Sequence, residues 1–356
     1  MEQISPLQVV MISIQVVLGT SMVLLPASIF QVAGRDGAVA FLLATVPLLA
    51  GAWLLAATGK RFPDAPLCHV LVGHFPVAGR VMMAGYTGFM FLNLAFQLRM
   101  LNDFTTVLLL PRTPLLATAG LVALVTLATA RGGWVVVARM TQLFLPSLVA
   151  SFFVIPLMLG RLYQPRMIAP ILEWGVGPAL AGGWVALGFM GQAILPGLLI
   201  PFRSMRYYGV AGLALAGVLV SIPMSLTLLV LGPHLASRFT FPMAEMVRHV
   251  RLTDFLDRWD LFVIGMYLPV GFITAGQCLH MTCAGLHRLW SQLSETDLVT
   301  PVGVLGMIWS LWFFGSPIQV IELLRLWPGV AVAFYLAVPL LLWLFLRPAA
   351  KVAAKN

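Results

Sequence analysis

Charge is what this 356-residue chain lacks most, with Asp, Glu, Lys and Arg together making up 9% of it. Hydrophobic residues make up 60% and the mean hydropathy is +0.98, more apolar side chain than a water-soluble core can bury. A soluble globular domain is thereby excluded, and the chain reads as a polytopic membrane protein held in a lipid bilayer. Cysteine is scarce too: Cys68, Cys278 and Cys283 are too few and too scattered for a disulfide framework and are expected as reduced thiols. No HExxH, GxSxG, P-loop or paired-carboxylate motif occurs, so the chain is not expected to be an enzyme and no cofactor is expected. The net charge of +9 would suggest nucleic acid in a soluble protein, but the basic residues stand singly between apolar runs, which argues against that partner. The first 15 residues lack Lys, Arg and a small-residue cleavage site, so the first apolar run is expected to be retained rather than removed as a leader.

What is there is a series of ten apolar stretches of helical length, near 7–30, 37–59, 80–110, 114–131, 138–160, 179–202, 209–232, 260–288, 301–320 and 327–347. Basic residues set their orientation. With the N-terminus cytoplasmic, the inside segments hold eleven Lys and Arg, and the outside segments hold five once the mixed-charge loop before the eighth span is set aside. That imbalance favours both termini inside, in a multi-pass integral membrane protein.

The first span is organised around IQVVLGTSMVLLP. Gly19 lacks a Cβ, Thr20 and Ser21 offer hydroxyls to backbone carbonyls, and Pro26 withholds a donor, so the helix is weakened near mid-bilayer. Either this helix breaks there and lines a cavity, or Gly19 only lets a neighbouring helix come close. The sixth span, WVALGFMGQAILPGLLIP, repeats the pattern with Gly188 and Gly191 at matching depth. Two interrupted helices half a chain apart, each opening a set of five spans, predict an all-α fold of ten transmembrane helices. The predicted arrangement is a five-plus-five inverted repeat, about 7–160 and 179–347, with helices 1 and 6 broken.

In the third span, YTGFMFLNLAFQLRMLNDFTTVLLLPRTP, Asn93 and Gln97 share one face, and Arg99 and Asp103 share roughly the opposite one. Arg99 and Asp103 form either a gate or ion-coupling pair, or a neutral pair pinning this helix to a neighbour, and the second reading is favoured. A segment at 241–259 has apolar residues at helical spacing among charges and reads as an outer amphipathic helix, a lid or a surface cap. His280, Cys283 and His287 share a face of the eighth span, but one helix supplying three ligands without a fourth is weak support for a metal, and none is expected.

The stretches ISPLQ, LGTSMVLLP, AGRDG and GKRFP, then LRMLNDF with LLPRTP, then FPMAEMVR with FLDRWD, occur in one order along nearly the whole chain. In these the sequence resembles the B subunits of bacterial spore germinant receptors, within the amino acid–polyamine–organocation transporter superfamily. The resemblance implies an amino acid permease fold and a small nutrient, such as an amino acid, bound between helices 1 and 6. It also implies a larger A subunit and a C-subunit lipoprotein as partners, in the inner membrane of the spore or in the cell membrane. Members often carry a Glu soon after the sixth-helix glycine, where this chain has Gln192 and Ala193, so ligand identity does not carry over.

The expected ligand-binding residues are Gly19, Thr20, Ser21, Met22, Asn93, Gly188, Met190, Gly191 and Gln192. Backbone N–H groups around Ser21 and Met22 are expected to meet a carboxylate, and carbonyls near Gly188 to Gly191 an ammonium group. Thr274 is a candidate for a coupling ion such as sodium. Three roles follow. The chain senses a nutrient that triggers spore germination, or it carries amino acids across the membrane as a secondary carrier, or it is a structural subunit with a vestigial pocket. The resemblance favours the first.

Overall fold

A computed structural model describes residues 4–22, 25–170, 172–248, 259–314 and 326–346. The first span is two helices, α1 (Pro6–Ser21) and α2 (Leu25–Ala33). Ser5 caps α1 reciprocally with Gln8: its hydroxyl accepts from the Gln8 N–H at 3.3 Å, and its own N–H donates to Gln8 Oε1 at 2.8 Å. Pro26 lies in the first turn of α2, where a missing donor costs nothing, so it starts the second helix rather than interrupting the first. There follow α3 (Gly37–Gly59), the short α4 (Leu67–His74), α5 (Pro76–Leu108), α6 (Leu115–Arg131) and α7 (Gly133–Leu159). The second half opens with α8 (Val176–Met190), a 3-10 turn over Gly191–Ile194, and the single turns α9 (Pro196–Leu199) and α10 (Phe202–Met205). It continues through α11 (Tyr208–Ala236), α12 (Pro242–Arg248), α13 (Trp259–Leu289), α14 (Glu295–Trp312) and α15 (Leu326–Phe345).

Counting α1 with α2, and α8 with α9, as one pass each, ten helical passes appear in the predicted order, with no strand among the described residues. Six helical runs are long and apolar enough to cross a bilayer by themselves, and α1 and α6 are shorter apolar helices. At 33 residues, α5 is about 50 Å long, well beyond the roughly 30 Å of hydrocarbon, as its sequence implied.

The passes pack as two groups. In one, α1, α3, α8 and α11 lie against each other; in the other, α5, α6, α13 and α14 do. The second group has a core of its own, including Leu94, Leu98, Val122, Leu279 and Val302. Along the seam between the groups, α1 touches α13 and the Gly191–Ile194 turn, which brings the two interruptions together at the centre.

Candidate ligand site at the helix breaks

The first break falls after Ser21, within the stretch from Gly19 to Pro26 that the sequence marked. Gly19 and Thr20 remain helical, and the Thr20 hydroxyl donates back to the Val16 carbonyl at 2.8 Å. Gly19 serves close approach instead: a Cβ there would lie 2.1 Å from Thr274 Oγ1. Of the two readings of Gly19, the packing one describes the residue, while the break lies just beyond it. The Met22 N–H donates to the Leu18 carbonyl at 3.2 Å, so it is not freed for a ligand as expected.

Two side chains from the second helix group hold the carbonyl of Gly19. Gln97 Nε2 donates to it at 3.1 Å and the Tyr267 hydroxyl at 2.8 Å. One turn deeper, Gln15 Nε2 donates both to the Val270 carbonyl at 2.8 Å and to Thr274 Oγ1 at 2.7 Å. Thr274 in turn donates to Val270 at 2.9 Å. The oxygens expected to serve a cation beside Thr274 thus already accept from an amide.

At the second break, the α8 ladder gives way to the tighter turn at Gly191. A Cβ on Gly191 would lie 2.0 Å from Cδ2 of Tyr335, and one on Gly188 would lie 3.0 Å from Cγ of Pro328, so both glycines admit α15. The Tyr335 hydroxyl donates to the Gly188 carbonyl at 3.3 Å, and Tyr86 donates to Leu195 at 2.9 Å. Gln192 Nε2 donates to Oδ1 of Asn93, whose own amide donates to Phe89 at 2.8 Å. Met190 is fully buried beside them. An aromatic wall adjoins: Trp327 stacks on Phe89 with centroids 5.2 Å apart and lies 6.4 Å from Phe189.

Several buried polar atoms around this centre have no hydrogen-bond partner among the described residues: Oε1 of Gln15, Oε1 of Gln192, both amide atoms of Gln277, Oγ of Ser21 and Nε1 of Trp327. On α13, Gln277 shares a helical face with Tyr267, Val270, Thr274 and Met281, the residues that meet α1 and Tyr86. A layer of neutral carboxamides, Gln15, Asn93, Gln97, Gln192 and Gln277, therefore surrounds the two breaks. Leaving buried donors and acceptors unmatched is costly, which marks the layer as a place for a polar ligand.

A small apolar cavity lies beyond the first break, bounded by Met22, Phe104, Phe152, Phe241, Met246 and Tyr267. Tyr267 both lines this cavity and holds Gly19, so it stands between the cavity and the carboxamide layer. Overhead, α12 buries Met243, Met246 and Val247. The remainder of the expected amphipathic segment, including Val250 and Phe255, lies outside the described residues.

The sequence profile of the spore germination protein family, a spore permease profile, matches residues 3–315. The chain belongs to that family. It is similar to the putative spore germination protein YfkT of Bacillus subtilis (strain 168), 28% identical over 331 residues, covering 93% of this chain and 92% of YfkT. It is also similar to spore germination protein KB of the same organism, 23% identical over 306 residues, covering 83% and 80% of the two chains. Among solved structures it resembles Mhp1, a nucleobase-cation-symport-1 family transporter, in a closed conformation with bromovinylhydantoin bound. That match has a TM-score of 0.60 at 13% identity and covers 96% of this chain and 82% of Mhp1. The inward-facing conformation of Mhp1 matches with a TM-score of 0.54 at 12% identity, over 94% and 79% of the two chains. At such identities the likeness speaks for the fold alone: a transporter-type bundle of broken and unbroken helices.

In this spore germination protein, Arg99 and Asp103 form a buried ion pair at 2.8 Å on α5, and the Arg99 guanidinium also donates to the Phe314 carbonyl just past α14. The pair pins α5 to the end of α14. His280 packs edge-on against Trp134, and His287 contacts the Leu293 carbonyl at 2.6 Å. No group of three metal-binding side chains occurs among the described residues. Gln15, Gln277, Tyr267, Tyr335 and Trp327 were absent from the expected site. For Gln15 and Gln277 the signal was present, since each is an amide inside an apolar span.

Proposed function

We propose that this chain is the membrane-embedded nutrient-sensing subunit of a spore germinant receptor, with an amino acid permease fold. The observation that carries this reading is the set of unpartnered carboxamide atoms of Gln15, Gln192 and Gln277 between the two breaks. They offer donors and acceptors without formal charge, matched to a small polar nutrient, an amino acid above all. The ligand's carboxylate faces the free N–H groups at the start of α2 beside Ser21, and its ammonium faces the carbonyls of Gly188 to Gly191. Its binding biases the equilibrium between the two helix groups, each of which draws helices from both repeats of about 7–160 and 179–347, and the A subunit and the C-subunit lipoprotein sense that bias. The protein sits in the inner spore membrane with both termini cytoplasmic.

The alternative is a secondary carrier that moves an amino acid across the membrane, a reading its fold favours. A sodium ion beside Thr274 would have to displace the Gln15 amide, so ligand response in the receptor reading is independent of sodium.

The test is thermal unfolding of the purified chain against a panel of amino acids and small nutrients, with Gln277→Leu alongside. A ligand present at 100 times its Kd stabilises by about 2.7 kcal/mol. One compound is expected to stabilise the wild type, while Gln277→Leu unfolds at a higher temperature than the wild type but no longer responds. A Gln277→Leu variant that kept the full response would refute the site. Flux in liposomes then separates receptor from carrier.

A further inference from the structure

A second, shallow cavity lies at the opposite end of the first helix group, between the end of α3, the α9 turn and the start of α11. Its lining is apolar, with the small Ala52, Ala56 and Gly197 beside the larger Leu55, Phe202 and Met205. One charged residue, Arg206, stands among the lining residues.

Arg206 is unusual in two independent ways. Its backbone is at φ 42° and ψ −138°, a conformation that glycine adopts freely and a side chain adopts only under strain. Its exposed guanidinium has no hydrogen-bond or ion-pair partner among the described residues, whereas its neighbours are engaged. Arg203 pairs with Asp64 at 3.2 Å, and Arg61 donates to the carbonyls of Trp343 at 2.6 Å and Leu346 at 3.0 Å. Lys60, next to the wall residue Gly59, is also exposed. A strained arginine thus keeps its charge at the rim of an apolar slot, and exposed Lys60, which has no ion-pair partner among the described residues, follows the lining residue Gly59.

We propose that this slot is a binding site for one anionic phospholipid, its acyl chain lying along Ala52, Ala56 and Gly197 and its phosphate meeting Arg206 with Lys60. The charge at the rim selects an anionic headgroup, and the apolar walls select a chain-bearing molecule over a soluble phosphate. On the orientation proposed above, the slot opens to the cytoplasmic leaflet. Its existence does not depend on the nutrient-sensing reading. The α9 turn that forms one wall follows directly from the second break, so an occupied slot braces the inner side of that break.

The experiment uses the full-length purified protein in detergent, with thermal unfolding and native mass spectrometry read against phosphatidylglycerol, phosphatidylcholine and sn-glycerol 3-phosphate. Phosphatidylglycerol is expected to remain bound and to raise the unfolding temperature, with the other two doing neither. Arg206→Gly relieves the backbone strain, so it folds at least as well as the wild type. It is expected to weaken phosphatidylglycerol binding roughly fivefold, which converts to about 1 kcal/mol. Ala56→Phe, which fills the slot from α3, is expected to abolish retention. Equal binding of phosphatidylcholine, a shift reproduced by glycerol phosphate alone, or full retention by Arg206→Gly would each overturn the proposal.

Discussion

The two interruptions meet the same difficulty, free backbone polar groups in hydrocarbon, by different means. At the second break the chain keeps turning: the Leu195 N–H donates to Gln192 at 3.2 Å and the Leu198 N–H to Leu195 at 3.1 Å, so most groups are matched locally. At the first, the helix stops at Ser21, and the exposed carbonyl of Gly19 is held by Gln97 and Tyr267, on α5 and α13 of the other helix group. Both breaks are thus tied to the second group, the first through a backbone carbonyl and the second in addition to its local turns. One helix reads both, since Tyr86 and Asn93 of α5 meet the second break and Gln97 the first.

The largest effect tests how firmly α5 is anchored beside the first break, which has no charged counterpart at the second. Arg99→Ala leaves Asp103 buried and unpaired and is expected to cost about 3–5 kcal/mol by denaturant unfolding, while Arg99→Met with Asp103→Leu regains most of it. Next come the glycines. Gly19→Ala and Gly191→Ala are each expected to cost about 1–3 kcal/mol through overpacking. Only the first yields to a second change, because Thr274→Ala removes a hydroxyl, whereas making room at Tyr335 empties part of the core. Gln97→Leu with Tyr267→Phe orphans the Gly19 carbonyl and is expected to cost about 1–3 kcal/mol, more than the two single variants summed. Tyr86→Phe at the second break is expected to cost only about 0.5–1.5 kcal/mol. Equal costs for these last two would remove the distinction between the breaks.

Much of this was legible in the residues. Composition and span length announced the ten passes, since hydrocarbon tolerates little but helix. The crowding of Gly and Pro at 19–26 and 188–201 located both interruptions to within about a turn, and the i, i+4 spacing announced the Arg99–Asp103 pair. The two readings of Gly19 stayed open for a simple reason: a glycine that loosens a helix and one that admits a neighbour look identical until the neighbour is known. Gln15 and Gln277 stood in plain view as amides in apolar spans, yet nothing linked positions 262 residues apart.

By itself, then, the sequence determined class, pass number and the place of each interruption along the chain, because these follow from local composition and period. Only the tertiary structure decided which carbonyls are satisfied, which amides are left over, and that Arg206 stands at the mouth of a slot with no partner among the described residues. Those depend on contacts between distant segments, and a buried polar group acquires its meaning from whatever packing places opposite it.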